Sequence, residues 1–111
     1  MKNTNHLVFD IKLKNKIKLE DIEKLFDKIV EIIKVRVLKK ENYVFENGGL
    51  TLFYLLAESH ISGHYRIEDD YLALDIYSCN IFSWSEQKIK NLLENNLSIS
   101  RIKVKPLQRK L

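Results

Sequence analysis

The sequence is poor in the residues that staple, hinge or anchor a chain. Cysteine occurs once, at Cys79. That excludes a disulfide within the chain and leaves no C-x-x-C motif for metal or dithiol chemistry. Three glycines form no phosphate-binding loop, and no G-x-S-x-G elbow of a serine hydrolase is present. No apolar run is long enough to cross a bilayer, and no long apolar segment opens the chain. The expectation is a soluble, cytoplasmic protein. Zinc-finger, RNP and helix-turn-helix signatures are also missing. The net charge of +4 is carried partly by two alternating series, Lys12, Lys14, Lys16, Lys18 and Arg101, Lys103, Lys105. Such series solvate strands and block edge-to-edge pairing, so nucleic acid is not expected as a partner. Without repeats or a linker, the 111 residues read as one domain, 1–111.

Hydrophobic periodicity supplies the elements. His6–Lys12 reads as a strand. From Leu19 to about Lys34, Ile22, Leu25, Phe26, Ile29, Val30 and Ile33 form one apolar stripe of a helix. Val35–Lys39, continued after an irregularity by Tyr43–Phe45, reads as a second strand, and Glu46–Gly49 as a turn. Leu50–Ala57 is apolar without alternation, which predicts a strand covered on both faces. His60–Ser62 reads as short and extended, and Arg66–Asp70 as a charged loop. In Tyr71–Ser78, Leu72, Leu74 and Ile76 point to one side. Ser83 and Glu86 have capping-box spacing for a helix from Trp84 to about Asn95. Ser100–Lys105 alternates again. Strands in this order with two helices suggest a two-layer α+β sandwich.

The apolar run ends in Glu58-Ser59-His60, with Gly63-His64 close behind. Ionisable and nucleophilic groups at the end of a buried strand suit a rigid, water-excluding site. His60 and His64 would share a metal-binding face only on a helix, so no metal is expected. A surface strand end remains the plain alternative. A decarboxylase needs an electron sink, and pyridoxal phosphate is a common one. Without a phosphate loop, and with so short a chain, a carbonyl made from the backbone is the other option.

The segment A-E-S-H-I-S-x-H, with G-G-L-T upstream and D-I-Y-S-C downstream, resembles the prokaryotic S-adenosylmethionine decarboxylase proenzymes, from roughly Leu7 to Val104. The resemblance implies an antiparallel sheet with both helices on one face, the other face serving dimerisation and catalysis. It also implies self-cleavage between Glu58 and Ser59, giving chains 1–58 and 59–111, with Ser59 becoming a pyruvoyl group that forms a Schiff base with the substrate amine. Thr51 and His64 would assist processing, and Cys79 would protonate the carbanion left by carbon dioxide. Phe45 would stack on adenine, and Glu68 would bind the ribose hydroxyls, a sound pairing because one carboxylate can accept from both. The product would feed spermidine synthesis, and the working unit would be a homodimer.

The sequence departs from the family's H-T-W-P-E at His64-Tyr65-Arg66-Ile67-Glu68, and Asn80 replaces the glycine that usually follows the cysteine. An inward Arg66 would oppose a cationic sulfonium. Related pyruvoyl enzymes take arginine or ornithine, and a dimerising paralogue that never cuts itself is a further alternative.

Overall fold

The computed structural model describes residues 4–79, 81 and 83–109, with the backbone alone at Thr4, Asn5, Ser83, Trp84 and Arg109. Six strands and two α-helices follow one another as β1 (Thr4–Leu13), α1 (Leu19–Ile33), β2 (Val37–Val44), β3 (Leu50–Leu56), β4 (Ser59–Arg66), β5 (Tyr71–Ser78), α2 (Ser83–Asn96) and β6 (Ile99–Arg109). A 3-10 turn, Ile67–Asp69, joins β4 to β5. The strands form one antiparallel sheet in the order β2-β3-β4-β5-β1-β6.

Period-two alternation decides which face is dry. Leu7, Phe9 and Ile11 of β1, Leu52 and Tyr54 of β3, and Leu72, Leu74 and Ile76 of β5 are all buried. They share one core with Ile22, Phe26 and Ile29 of α1 and Ile89 and Leu93 of α2. Both helices therefore cover the same side of the sheet. Phe26 meets Tyr54 edge to face at 5.0 Å. The Tyr54 hydroxyl donates to Asp27 Oδ1 at 2.7 Å, and burial, reinforced by that carboxylate, pushes the phenol well above its ordinary value. At the start of α1 the Lys18 N–H donates to Asp21 Oδ2 at 2.8 Å, which satisfies an otherwise unpaired group. Lys34 closes the helix in the left-handed conformation. The capping role expected of the Ser83 side chain lies outside the described residues.

The structure departs from the expected elements in several places. The segment expected to be briefly extended at His60–Ser62 is the eight-residue strand β4, so the sheet has six strands. Ser, His and Gly are modest strand formers, but β3 and β5 pair with β4 along both edges, and tertiary pairing outweighs local preference. The charged loop is largely the 3-10 turn, closed by Asp70 with φ +50°. Within one chain β3 is covered on one face only: Phe53 is 36% and Leu55 41% exposed on the side away from the helices. The irregularity expected between Lys39 and Tyr43 is not there: pairing with β3 runs in unbroken register from Lys39 to Val44, and the one register shift of β2 falls earlier, between Val37 and Lys39. Pro106, beyond the predicted end of the last strand, lies inside β6. As β6 is an edge strand, a missing N–H is tolerated there.

Candidate active site

Register turns the uncovered face into a map. Tyr43, Thr51, His64, Ala73 and Asp10 lie in one row across neighbouring strands. Leu55, His60, Tyr77 and His6 form a second row nearer the β3–β4 turn. The candidate residues divide between the two ends of β4.

At one end, Thr51 Oγ1 and His64 Nδ1 are 2.8 Å apart across β3 and β4. Phe45 stands edge-on to the His64 ring, centroids 6.4 Å apart, and Tyr43 packs on Phe45 at 4.9 Å. A cleft of about 450 Å³ lies here, lined by Phe45, Asn47, His64, Tyr65, Arg66 and Glu68 among others. Glu68 Oε1 accepts a hydrogen bond from Asn47 Nδ2 at 2.6 Å. Arg66 does not carry an uncompensated charge: its Nε donates to Asp69 Oδ2 at 2.7 Å, and its guanidinium lies 5.6 Å from the Tyr71 ring centroid.

At the other end, Ala57 and Glu58 form the two-residue turn between β3 and β4, closed by the Leu56–Ser59 pair. Glu58 has φ +67°, a conformation that favours glycine or asparagine and costs an ordinary side chain about 1–2 kcal/mol. The Ala57 N–H is tied to the Arg36 carbonyl at 2.9 Å, which helps to hold the turn. Ser59 is 8% exposed, and its Oγ has no hydrogen-bond partner among the described residues. A buried hydroxyl without a partner is uncommon enough to ask for an explanation. His60 is stacked between Phe53 and Tyr77, with centroids 5.7 and 5.5 Å away. Because His60 pairs with Tyr77, one further antiparallel step sets Ser78 beside Ser59 and Cys79 beside Glu58. Cys79 is exposed.

One chain thus gathers Phe45, Thr51, His64 and Glu68, and separately Glu58, Ser59 and Cys79. Ser59 and His64 are five residues apart on β4, or about 17 Å, and alternate onto different faces. His60 and His64, both on β4, are about 13 Å apart by the same rise. Two features are not visible in the sequence alone, the Asn47–Glu68 contact and the His60 stack. An asparagine before two glycines signals only a turn, and ring stacking across strands needs the register.

The family model for S-adenosylmethionine decarboxylase matches residues 5–110. The chain belongs to that family. An S-adenosylmethionine decarboxylase proenzyme of Clostridium botulinum (strain Langeland) is 28% identical over 107 residues, 94% of this chain and 91% of the relative. Another, from Pyrobaculum arsenaticum, is 41% identical over 51 residues, 45% of this chain and 41% of its own length. The crystal structure of the adenosylmethionine decarboxylase from Aquifex aeolicus superposes with a TM-score of 0.80 at 25% identity, covering 100% of this chain and 94% of that one. The α+β architecture is the family's. Among the described residues no helix is long and apolar enough to cross a membrane.

Proposed function

We propose that this chain cuts itself between Glu58 and Ser59 and then decarboxylates S-adenosylmethionine, with Thr51 and His64 assisting the cut. The observation that carries the proposal is the pairing of a left-handed Glu58 with a buried Ser59 hydroxyl that has no hydrogen-bond partner among the described residues. The hydroxyl attacks the Glu58 carbonyl carbon. The C–N bond breaks as the ester forms, and the nitrogen takes up the hydroxyl proton. Loss of the Ser59 Cα proton then expels the Glu58 carboxylate and leaves dehydroalanine. Water replaces the nitrogen, which departs as ammonia. Peptide plus water becomes a carboxylic acid, a pyruvoyl terminus and ammonia, so the atoms balance.

That terminus supplies an electrophilic carbonyl able to take up the electrons of a departing carboxylate. The residues around it do the rest. Cys79, a step beyond β5 beside the cut, returns a proton to the carbon that has lost carbon dioxide. Phe45 offers an exposed ring for adenine, and Glu68 a carboxylate for the ribose hydroxyls. Arg66 is engaged by Asp69, so its charge is compensated near a sulfonium.

These two groups of residues need a second copy of the chain. A two-fold pairing through the uncovered face lays the His64 end of one protomer over the Ser59 end of the other. Phe53, Leu55 and Leu107, all at least 36% exposed on that face, give it apolar material to bury. The test offers S-adenosylmethionine, arginine and ornithine separately and measures carbon dioxide. Release from S-adenosylmethionine alone, strongly reduced in Cys79→Ala, is expected. Release only from arginine or ornithine would move the chain to the amino-acid decarboxylases, and no release from any would favour a non-catalytic paralogue.

A further inference from the structure

Asn47 makes two hydrogen bonds with different jobs. Its Oδ1 accepts from the Gly49 N–H at 2.9 Å, a side-chain-to-backbone link two residues on that fixes both the turn and the amide. The turn is stiff. The Phe45 N–H donates to the Gly49 carbonyl at 2.7 Å, and the Gly48 N–H to the Phe45 carbonyl at 2.9 Å. Gly49 is needed for the approach, since a Cβ there would stand 3.0 Å from the Tyr65 carbonyl oxygen and 3.2 Å from Asn47 Oδ1. From this fixed base Asn47 Nδ2 reaches across the cleft to Glu68 Oε1 at 2.6 Å. Glu68 sits on the 3-10 turn, a different element.

We infer that Asn47 is a positioning residue, holding the Glu68 carboxylate so that the cleft discriminates for the ribose diol of its substrate. The inference rests on the reading of Glu68 as the ribose-binding acid. A carboxylate has about four acceptor positions. One contact from Asn47 aims the group and leaves Oε2 free for the two hydroxyls. Glu68 is exposed, so without this contact its side chain would have to be ordered at the moment of binding, which weakens the complex.

Asn47→Asp is the clean variant. It keeps an oxygen for the Gly49 N–H, so the turn survives, but replaces the donor with a second carboxylate facing Glu68. Asn47→Ala removes the same contact without adding charge but gives up the Gly49 link as well, which the backbone hydrogen bonds among Phe45, Gly48 and Gly49 are left to offset. Each is compared with wild type and Glu68→Ala on S-adenosylmethionine and its 2′-deoxyadenosyl analogue, after self-cutting has been scored by mass. Wild type should prefer the ribose substrate. Both Asn47 variants should cut as wild type does and lose about three- to tenfold of that preference, through KM rather than kcat. Glu68→Ala should lose the preference altogether. If Glu68→Ala loses it while both Asn47 variants keep it in full, Asn47 does not position the acid. If Glu68→Ala itself keeps the preference, the underlying reading of Glu68 falls, and the inference with it.

Discussion

Ser59 and His64 belong to the same strand but not to the same face: Ser59 turns toward the helices with Ile61 and Tyr65, while His64 stands on the uncovered side against Thr51. A strand rises about 3.4 Å per residue. The five steps between them are therefore too many for His64 to reach the Ser59 Cα proton within its own chain.

Subunit complementation follows from that separation. Ser59→Ala and His64→Ala are each expected to stay largely uncut alone. Mixed after co-expression, they form some dimers in which one intact Ser59 faces one intact His64. The His64→Ala chain should then be cut and the Ser59→Ala chain should not, as read by mass on differently tagged copies. If the His64→Ala chain remained as whole in the mixture as alone, the two-chain site would be wrong.

Glu58 tests the role of strain. Glycine at φ +67° relieves about 1 kcal/mol of backbone cost. If that strain drives the acyl shift, Glu58→Gly should slow the disappearance of the precursor by up to about fivefold. A rate equal to or above wild type would show that the turn geometry stores nothing useful.

Gly63 marks a close approach of the sheet to α1. A Cβ at this position would stand 2.9 Å from Phe26 Cζ and 3.3 Å from Phe26 Cε1, within the buried core. Gly63→Ala is expected to destabilise the fold by about 1–3 kcal/mol through overpacking. The measurement is chemical denaturation of a Ser59→Ala background, which keeps the chain in one piece. An unchanged midpoint would mean that the ring moves aside freely.

Much of this fold could be read in advance where one periodicity dominates. The stripe from Ile22 to Ile33 locates α1, and Leu72, Leu74 and Ile76 locate β5 and its inner face. β4 is harder to see because Ser59, His60, Ser62 and Gly63 have weak strand preference and owe their conformation to pairing with β3 on one side and β5 on the other. The apolar run of β3 suggested two covered faces, but the alternation test cannot say whether the cover comes from the same chain. The candidate residues could be named from the motif, whereas their division between two ends of one strand depends on register. Asn47 looked like turn composition because its contact with Glu68 joins residues 21 apart in sequence.

Asp70 links the turn after β4 to the loop before α1. Lys16 Nζ donates to Asp70 Oδ1 at 2.8 Å, and the Tyr65 hydroxyl reaches the same oxygen at 3.2 Å. The Lys16 hydrogen bond, helped by that of Tyr65, holds the carboxyl below its ordinary value of 3.8. Its stabilising contribution is therefore complete above pH 3.8 and disappears as the pH falls through the lowered value. Thermal melts should show Asp70→Asn less stable than wild type at neutral pH, with the gap closing below the carboxylate range. A gap that stayed constant down to strong acid would contradict this linkage.

Self-cutting at Ser59 is read from the intact mass of purified protein beside Ser59→Ala. Two pieces are expected, residues 1–58 and 59–111, whose masses sum to the uncut chain plus one water minus one ammonia, with the second piece reacting with a hydrazine. Ser59→Ala should remain whole. A wild-type chain that stays whole on prolonged incubation, or that yields a second piece beginning with an ordinary serine, would contradict it.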